Sequence, residues 1–403
     1  MRRRLSWLRL GLLPLAIGAS VLLSSWFYLM WNTTAGELLP SLRFRTKATI
    51  AGIVKETAPV LSLNSVLTGA YQQWISRSVG QLSPMFKPAI AWKSQVYYKL
   101  LGMAPTVQIL VGKQNQLMEI DYLQEYCSRN IEKLRPRDEE WATRIRGMQD
   151  FFEARGKVFV YIITPSKVAE DPRIIPEGYI CPASAKDRTD KLRVYDEILA
   201  RHGVRFVDAA SGLLAAREEY GVDMFPRGGL HWNSLASALG TEKVIAAVNA
   251  QRHEPLLATL GFAWHISYNP QGSDRDLLDL LNMKNPDAHY PVPELAYRST
   301  SPANGCHSIT IAEVGGSFLG GLNSTLQKLA CPPRIDNWFY WDTRRMQFAD
   351  GRLYELPMNA DARRKSLLDA DVIFLEENEE VEPASKHGEQ MVQEVARLAD
   401  ARR

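Results

Sequence analysis

Residues 308–329 read S-I-T-I-A-E-V-G-G-S-F-L-G-G-L-N-S-T-L-Q-K-L, and the order of residue types in this stretch decides the fold class. Ile309, Ile311 and Val314 predict a short buried strand. Gly315-Gly316 offers a tight turn, after which Leu319, Leu322, Leu326 and Leu329 recur at helical spacing. Ser317 therefore falls where a strand ends and a helix begins. Such a position suits a nucleophile: a glycine turn exposes Oγ, and amides around Gly316 and the helix N-terminus can hold an oxyanion. The spelling G-G-S-F-L falls short of the G-x-S-x-G elbow, and a serine that merely caps the helix accounts for the stretch as well.

Working outward, Lys157–Pro165 is an apolar run suited to a buried parallel strand, ending in T-P-S-K at a turn or an active-site mouth. A helix at Lys191–His202 and a strand at Arg205–Val207 complete a β-α-β rhythm, with Asp208 just beyond. Upstream, 106–118 reads as two short strands around a glycine turn, followed by helices at Asp121–Lys133 and Asp138–Arg155. Downstream come a loop at 223–233, a helix to about Ala250, a short helix at Asp274–Leu281 and a last strand at Asp371–Leu375. Alternating strands and helices predict an α/β fold with a largely parallel sheet flanked by helices.

The chain has 403 residues and a net charge of +3, with no basic stripe of the kind that binds nucleic acid. Arg2, Arg3, Arg4 and Arg9 precede an apolar run at 10–31 that carries no charge and ends in an aromatic belt of Trp26, Phe27, Tyr28 and Trp31. That pattern predicts one transmembrane helix, with residues 1–9 in the cytoplasm and the rest in the periplasm. A cleaved signal peptide competes, given the small residues near Ala19. Residues 32–104 are expected to form a helical stalk or cover, 105–380 the main domain and 381–403 a charged tail. Cys127, Cys181, Cys306 and Cys331 fit an oxidising compartment, and a Cys306–Cys331 bridge would hold both ends of the Ser317 element. Four cysteines allow three connectivities, among which the sequence does not choose.

A serine nucleophile needs a base and something to orient that base. His231 is the best placed of the seven histidines, in the loop D-M-F-P-R-G-G-L-H-W-N at 223–233 beside Trp232, although a lone histidine often only caps a helix. The motifs G-K-Q-N-Q-L, V-Y-I-I-T-P-S-K, G-L-H-W-N, G-G-S-F and D-V-I-F-L-E-E-N-E follow one another over roughly residues 60–380. In that order they resemble the alginate O-acetyltransferase family (AlgJ/AlgX-like), whose domain is SGNH-hydrolase-like.

The resemblance implies an envelope enzyme at the inner membrane that acetylates a polysaccharide through a serine acyl-enzyme. It implies Ser317 as nucleophile, His231 as base, and an MBOAT-type membrane acyltransferase as acetyl donor; no cofactor or metal is expected. One departure stands out. The family pattern D-x-H-W has aspartate two residues before the histidine, where this chain has Gly229. Asp223 or, second, Asp208 replaces it, or a backbone carbonyl orients the ring, or the chain has lost catalysis and serves as a glycan-binding scaffold. A carbohydrate esterase would use the same residues with water as acceptor. Trp232, Trp341 and Arg344 are candidate sugar contacts, the last two in the cluster 338–345 that reads either as a site for an acidic glycan or as a half-buried strand. Glu376, Glu377, Glu379 and Glu380 read as a solvated charge run, since no histidine lies among them.

Overall fold

The computed structural model describes residues 18–20, 22–27, 58–74 and 86–400. Most of the anchor expected at 10–31 lies outside them, as does much of the 32–104 stalk. No described helix is long and apolar enough to cross a membrane. The chain divides into two units, 1–107 with 278–287 and 108–277 with 288–403. In the first, the helix Phe86–Leu101 packs Trp92 under the Lys284 ammonium at 4.9 Å, and Gln95 accepts the Asn285 amide at 2.9 Å.

The second unit carries eleven strands: β1 Ile109–Val111, β2 Leu117–Glu119, β3 Val158–Thr164, β4 Phe206–Asp208, β5 Thr259–Ser267, β6 Val292–Thr300, β7 Thr310–Gly315, β8 Arg334–Phe339, β9 Arg344–Ala349, β10 Arg352–Leu356 and β11 Val372–Asn378. Seven form one sheet in the order β10-β9-β8-β7-β11-β3-β4. From β8 to β4 neighbouring strands run parallel, and β9 and β10 add an antiparallel edge. The expected α/β architecture is therefore present. β1–β2 and β5–β6 are separate hairpins.

Side-chain alternation assigns the two faces of the central strands. Phe159, Tyr161 and Ile163 of β3 share one core cluster with Ile373 and Leu375 of β11, and with Trp141, Phe152, Tyr195 and Met391. Those last four belong to the helices Ile131–Glu153, Ala185–Arg201 and Lys386–Asp400. Ile131–Glu153 runs unbroken through Pro136, where the sequence suggested two helices. Asn130 caps its start by accepting the Lys133 amide at 2.9 Å. The helices Ser234–Asn249 and Leu319–Leu326 pack on each other, the former also against β3 and β4.

The charge run expected at 376–380 is corrected. β11 continues through Asn378, so Glu376 and Glu377 occupy a central parallel strand, 1% and 0% exposed, and Glu379 is 2% exposed. A buried carboxylate needs donors, and each of these has them. Glu377 accepts from Trp141 Nε1 at 3.0 Å, Tyr161 OH at 2.6 Å and the Ser385 amide at 2.6 Å. Glu379 pairs with Arg129 at 2.9 Å. Cys127 is bridged to Cys181 and Cys306 to Cys331.

Candidate active site

β7 ends at Gly315 and the helix Leu319–Leu326 begins three residues after Gly316, so Ser317 sits on the predicted strand-to-helix turn. Glycine is required at the strand end. A Cβ at Gly315 would stand 2.6 Å from both Glu376 Oε2 and Leu319 Cδ1. Glu376 occupies the space beneath the turn. Its Oε2 accepts the Gly316 amide at 2.6 Å and its Oε1 accepts the Thr164 hydroxyl. Burial raises its pKa above the ordinary carboxylate value, opposed by the Thr164 hydrogen bond, the nearby His387 and the Gly316 hydrogen bond. The Gly316 N–H is thus engaged within the protein, which corrects its expected place in an oxyanion hole.

His231 reaches the serine from the loop before the helix Ser234–Asn249. Asn233 fixes that helix start by accepting the Ala236 amide at 3.0 Å. His231 Nε2 lies 2.7 Å from Ser317 Oγ, and the ring packs on Phe318 with centroids 5.0 Å apart. Trp232 is 2% exposed, its Nε1 donating to the Phe318 carbonyl at 3.3 Å. Lys167 anchors the loop from below: Nζ donates to the carbonyls of Pro226 at 2.8 Å and Gly229 at 2.7 Å. It is 1% exposed, so T-P-S-K is a buried support and not the mouth of a site. Burial lowers its pKa to about 7, against the opposing charges of Asp276, Asp223 and Asp171.

The carboxylate at His231 comes from Asp276. Its Oδ2 lies 2.5 Å from His231 Nδ1, while Oδ1 accepts the amides of Leu230 at 2.8 Å and Leu277 at 2.7 Å. Asp276 opens the helix Asp276–Leu280 after the 3₁₀ turn Gly272–Arg275. Gly229 shows why the acid is not two residues before the histidine. A Cβ there would meet the Ser273 carbonyl oxygen and stand 2.8 Å from Pro226 Cγ, so that position has no room for a side chain.

Asp223 faces elsewhere, with Oδ1 2.7 Å from Arg217 Nε and Oδ2 accepting from Gln116 at 3.4 Å. Asp208 Oδ1 accepts the Ala210 amide at 2.8 Å and the Ser211 amide at 2.7 Å in its own turn. Trp341 is 4% exposed beneath the Arg363 guanidinium, 4.0 Å from its ring centroid. Arg344 opens β9 on the antiparallel edge, exposed and paired with Phe339. The structure therefore brings together Ser317, His231 and Trp232, and leaves Asp223, Trp341 and Arg344 outside.

Ser317 borders two cavities. One, about 530 Å³, is lined by the triad together with Trp232, Asn233, Asp274 and Tyr297. The other, about 240 Å³, lies against Tyr122, Phe318, Tyr340, Glu376 and His387. Among the described residues no cluster of histidine, cysteine and carboxylate side chains is arranged to hold a metal.

No family model and no curated protein sequence matches the chain. Among solved structures it is similar to the O-acetyltransferase domain of Pseudomonas putida AlgJ, at 14% identity and TM-score 0.43, covering 72% of this chain and 98% of that one. It is similar to Pseudomonas aeruginosa AlgX at 13% identity and TM-score 0.48, covering 78% of this chain and 71% of that one. Bacillus cereus PatB1 with a sulfonyl adduct matches at 10% identity and TM-score 0.42, covering 69% of this chain and 96% of that one. AlgJ and AlgX are the proteins whose type the order of motifs in this sequence resembles.

Proposed function

We propose that this chain is a serine-dependent O-acetyltransferase acting on a polysaccharide. The observation that carries the reading is the unbroken line Ser317 Oγ–His231 Nε2–Nδ1–Asp276 Oδ2, with separations of 2.7 and 2.5 Å. Nδ1–H donating to Asp276 leaves Nε2 as the acceptor that a general base requires.

Ser317 Oγ attacks the carbonyl carbon of an acetyl ester while its proton passes to His231 Nε2. Asp276 fixes the ring and stabilises the imidazolium. The oxyanion falls to amides at the start of the helix Leu319–Leu326, since that of Gly316 is held by Glu376. Collapse expels the donor alcohol, which takes the proton from His231, and leaves acetyl-Ser317. A sugar hydroxyl then gives its proton to His231 and attacks the acyl carbon, and collapse breaks the acyl–Oγ bond as Ser317 Oγ takes that proton back from His231. Water as acceptor would make the same site an esterase.

An inner-membrane anchor at 10–31, a periplasmic domain and an MBOAT-type donor belong to this reading; the arginine-flanked apolar run and the motif order support them.

The test incubates the full chain with p-nitrophenyl acetate and follows acetyl-Ser317 by intact mass. Wild type is expected to acquire one acetyl group, and Ser317→Ala, His231→Ala and Asp276→Asn to lose turnover. A wild type that neither turns over nor forms the adduct favours the scaffold reading, in which Ser317→Ala leaves polymer acetylation intact.

A further inference from the structure

Four hydroxyls in the wall of the larger cavity at Ser317 have their protons committed within the protein. Ser234 Oγ donates to the Pro293 carbonyl at 2.8 Å and Ser237 Oγ to the Ser234 carbonyl at 3.2 Å. Ser324 Oγ donates to the Gly320 carbonyl at 2.8 Å and Thr325 Oγ1 to the Gly321 carbonyl at 3.0 Å. All four side chains line the cavity. A hydroxyl has one proton and two lone pairs. With their protons committed to backbone carbonyls, these four have only acceptor lone pairs left for a ligand, whereas the Tyr297 and Ser273 hydroxyls of the same wall can donate as well as accept.

The charge in the wall has the same preference. Asp274 and Asp276 line this cavity, and among the described residues no lysine or arginine does. Burial lifts Asp274 to about 6, which still leaves it ionised at neutral pH. Arg227 is stacked on the Tyr290 ring at 4.7 Å and is not a wall residue. Across Ser317, the Lys386 side chain shares the smaller cavity with Glu376 and Glu380. A uronate carboxylate is an acceptor only. In this cavity it would face acceptors and like charge, within the roughly 8 Å over which charges act at physiological salt.

We propose that the acceptor is an uncharged or amine-bearing glycan and that this cavity excludes polyuronates. The proposal rests on the transferase reading for its biological meaning, but it concerns binding and is tested by binding. The full-length Ser317→Ala protein is titrated calorimetrically at pH 7.5 with three hexasaccharides, of glucose, glucosamine and mannuronate. The glucose or the glucosamine hexamer is expected to bind at least roughly tenfold more tightly than the mannuronate hexamer, a difference of about 1.4 kcal/mol. Adding Asp274→Asn removes a charge at nearly constant shape and is expected to narrow that gap severalfold. Mannuronate binding as tightly as the best of the other two overturns the proposal, and so does a failure of both of them to bind. Failure of wild-type Ser317 to accept acetyl from p-nitrophenyl acetate, with the binding order as expected, sinks the transferase reading and leaves this one standing.

Discussion

His231 Nδ1 lies 2.5 Å from Asp276 Oδ2 although 45 residues separate them, and the second oxygen of that carboxylate is held by two backbone amides. One group thus orients the imidazole and fastens the loop that carries it to the start of another helix. Charge-assisted hydrogen bonds from several donors fix such a carboxylate more firmly than any single contact.

Asp276→Asn is expected to lower kcat for p-nitrophenyl acetate by about 10³-fold or more, because an amide stabilises the wrong imidazole tautomer. Asp223→Asn should stay within about threefold of wild type, since its partner Arg217 is partly exposed and such pairs contribute little. Equal losses in the two variants would remove the distinction drawn between these acids.

Restoring the D-x-H-W pattern is not expected to rescue activity. Gly229→Asp introduces a side chain into space held by Ser273 and Pro226 and should destabilise the fold by about 1–3 kcal/mol or more. The double variant Gly229→Asp/Asp276→Asn, examined by steady-state kinetics and thermal melting, should be as inactive as Asp276→Asn and melt at a lower temperature.

Lys167→Met removes the donor to the carbonyls of Pro226 and Gly229; the Pro226 carbonyl keeps the Gly229 amide at 3.2 Å, and the Gly229 carbonyl loses its Lys167 partner. Each unsatisfied buried acceptor costs about 1–3 kcal/mol. The variant should melt lower and react more slowly with p-nitrophenyl acetate, because the His231 loop is no longer anchored. Unchanged acylation at full occupancy of the folded state would show that Lys167 supports the fold alone.

Glu313 offers a pH signature independent of catalysis. It is buried on β7 with Asn323 and Asn337 donating to Oε1. Burial lifts its pKa from 4.5 to about 7, against those amide hydrogen bonds. The folded state therefore holds this proton more tightly than the unfolded chain does. Its contribution is complete below pH 4.5 and is lost as the pH rises through 7. Glu313→Gln should gain relative to wild type between pH 5 and pH 8, by up to about 3 kcal/mol in urea unfolding. A constant difference across that range would contradict the assignment.

The sheet was legible because apolar runs such as V-F-V-Y-I-I-T admit few readings, and every residue of that strand is buried. Ser317 and His231 were legible because glycine turns punctuate the sequence beside them. Asp276 was not. It lies in the expected short helix at 274–281, but nothing local says that a helix-opening aspartate faces a histidine from another segment. The signal available was an N-terminal aspartate in a helix falling between the base and the nucleophile. Glu376 and Glu377 were misread because charge density alone suggests solvent. The buried donors Thr164, Tyr161 and Trp141 come from distant segments. Trp341 and Arg344 were misplaced for a related reason: an aromatic-basic cluster looks alike whether its rings face a ligand or, as with Trp341 under Arg363, the interior.

The crowding at Gly229 limits where a carboxylate can stand. An aspartate side chain there and the Ser273–Asp274 backbone lay claim to the same volume, so the two placements of the acid exclude one another in this loop arrangement. With these two loops in place the chain has no room for a second carboxylate held in reserve beside His231. Moving the acid to position 229 would require the Ser273–Asp274 backbone to move with it, so the acid's place in the chain and the course of these two loops form one structural choice.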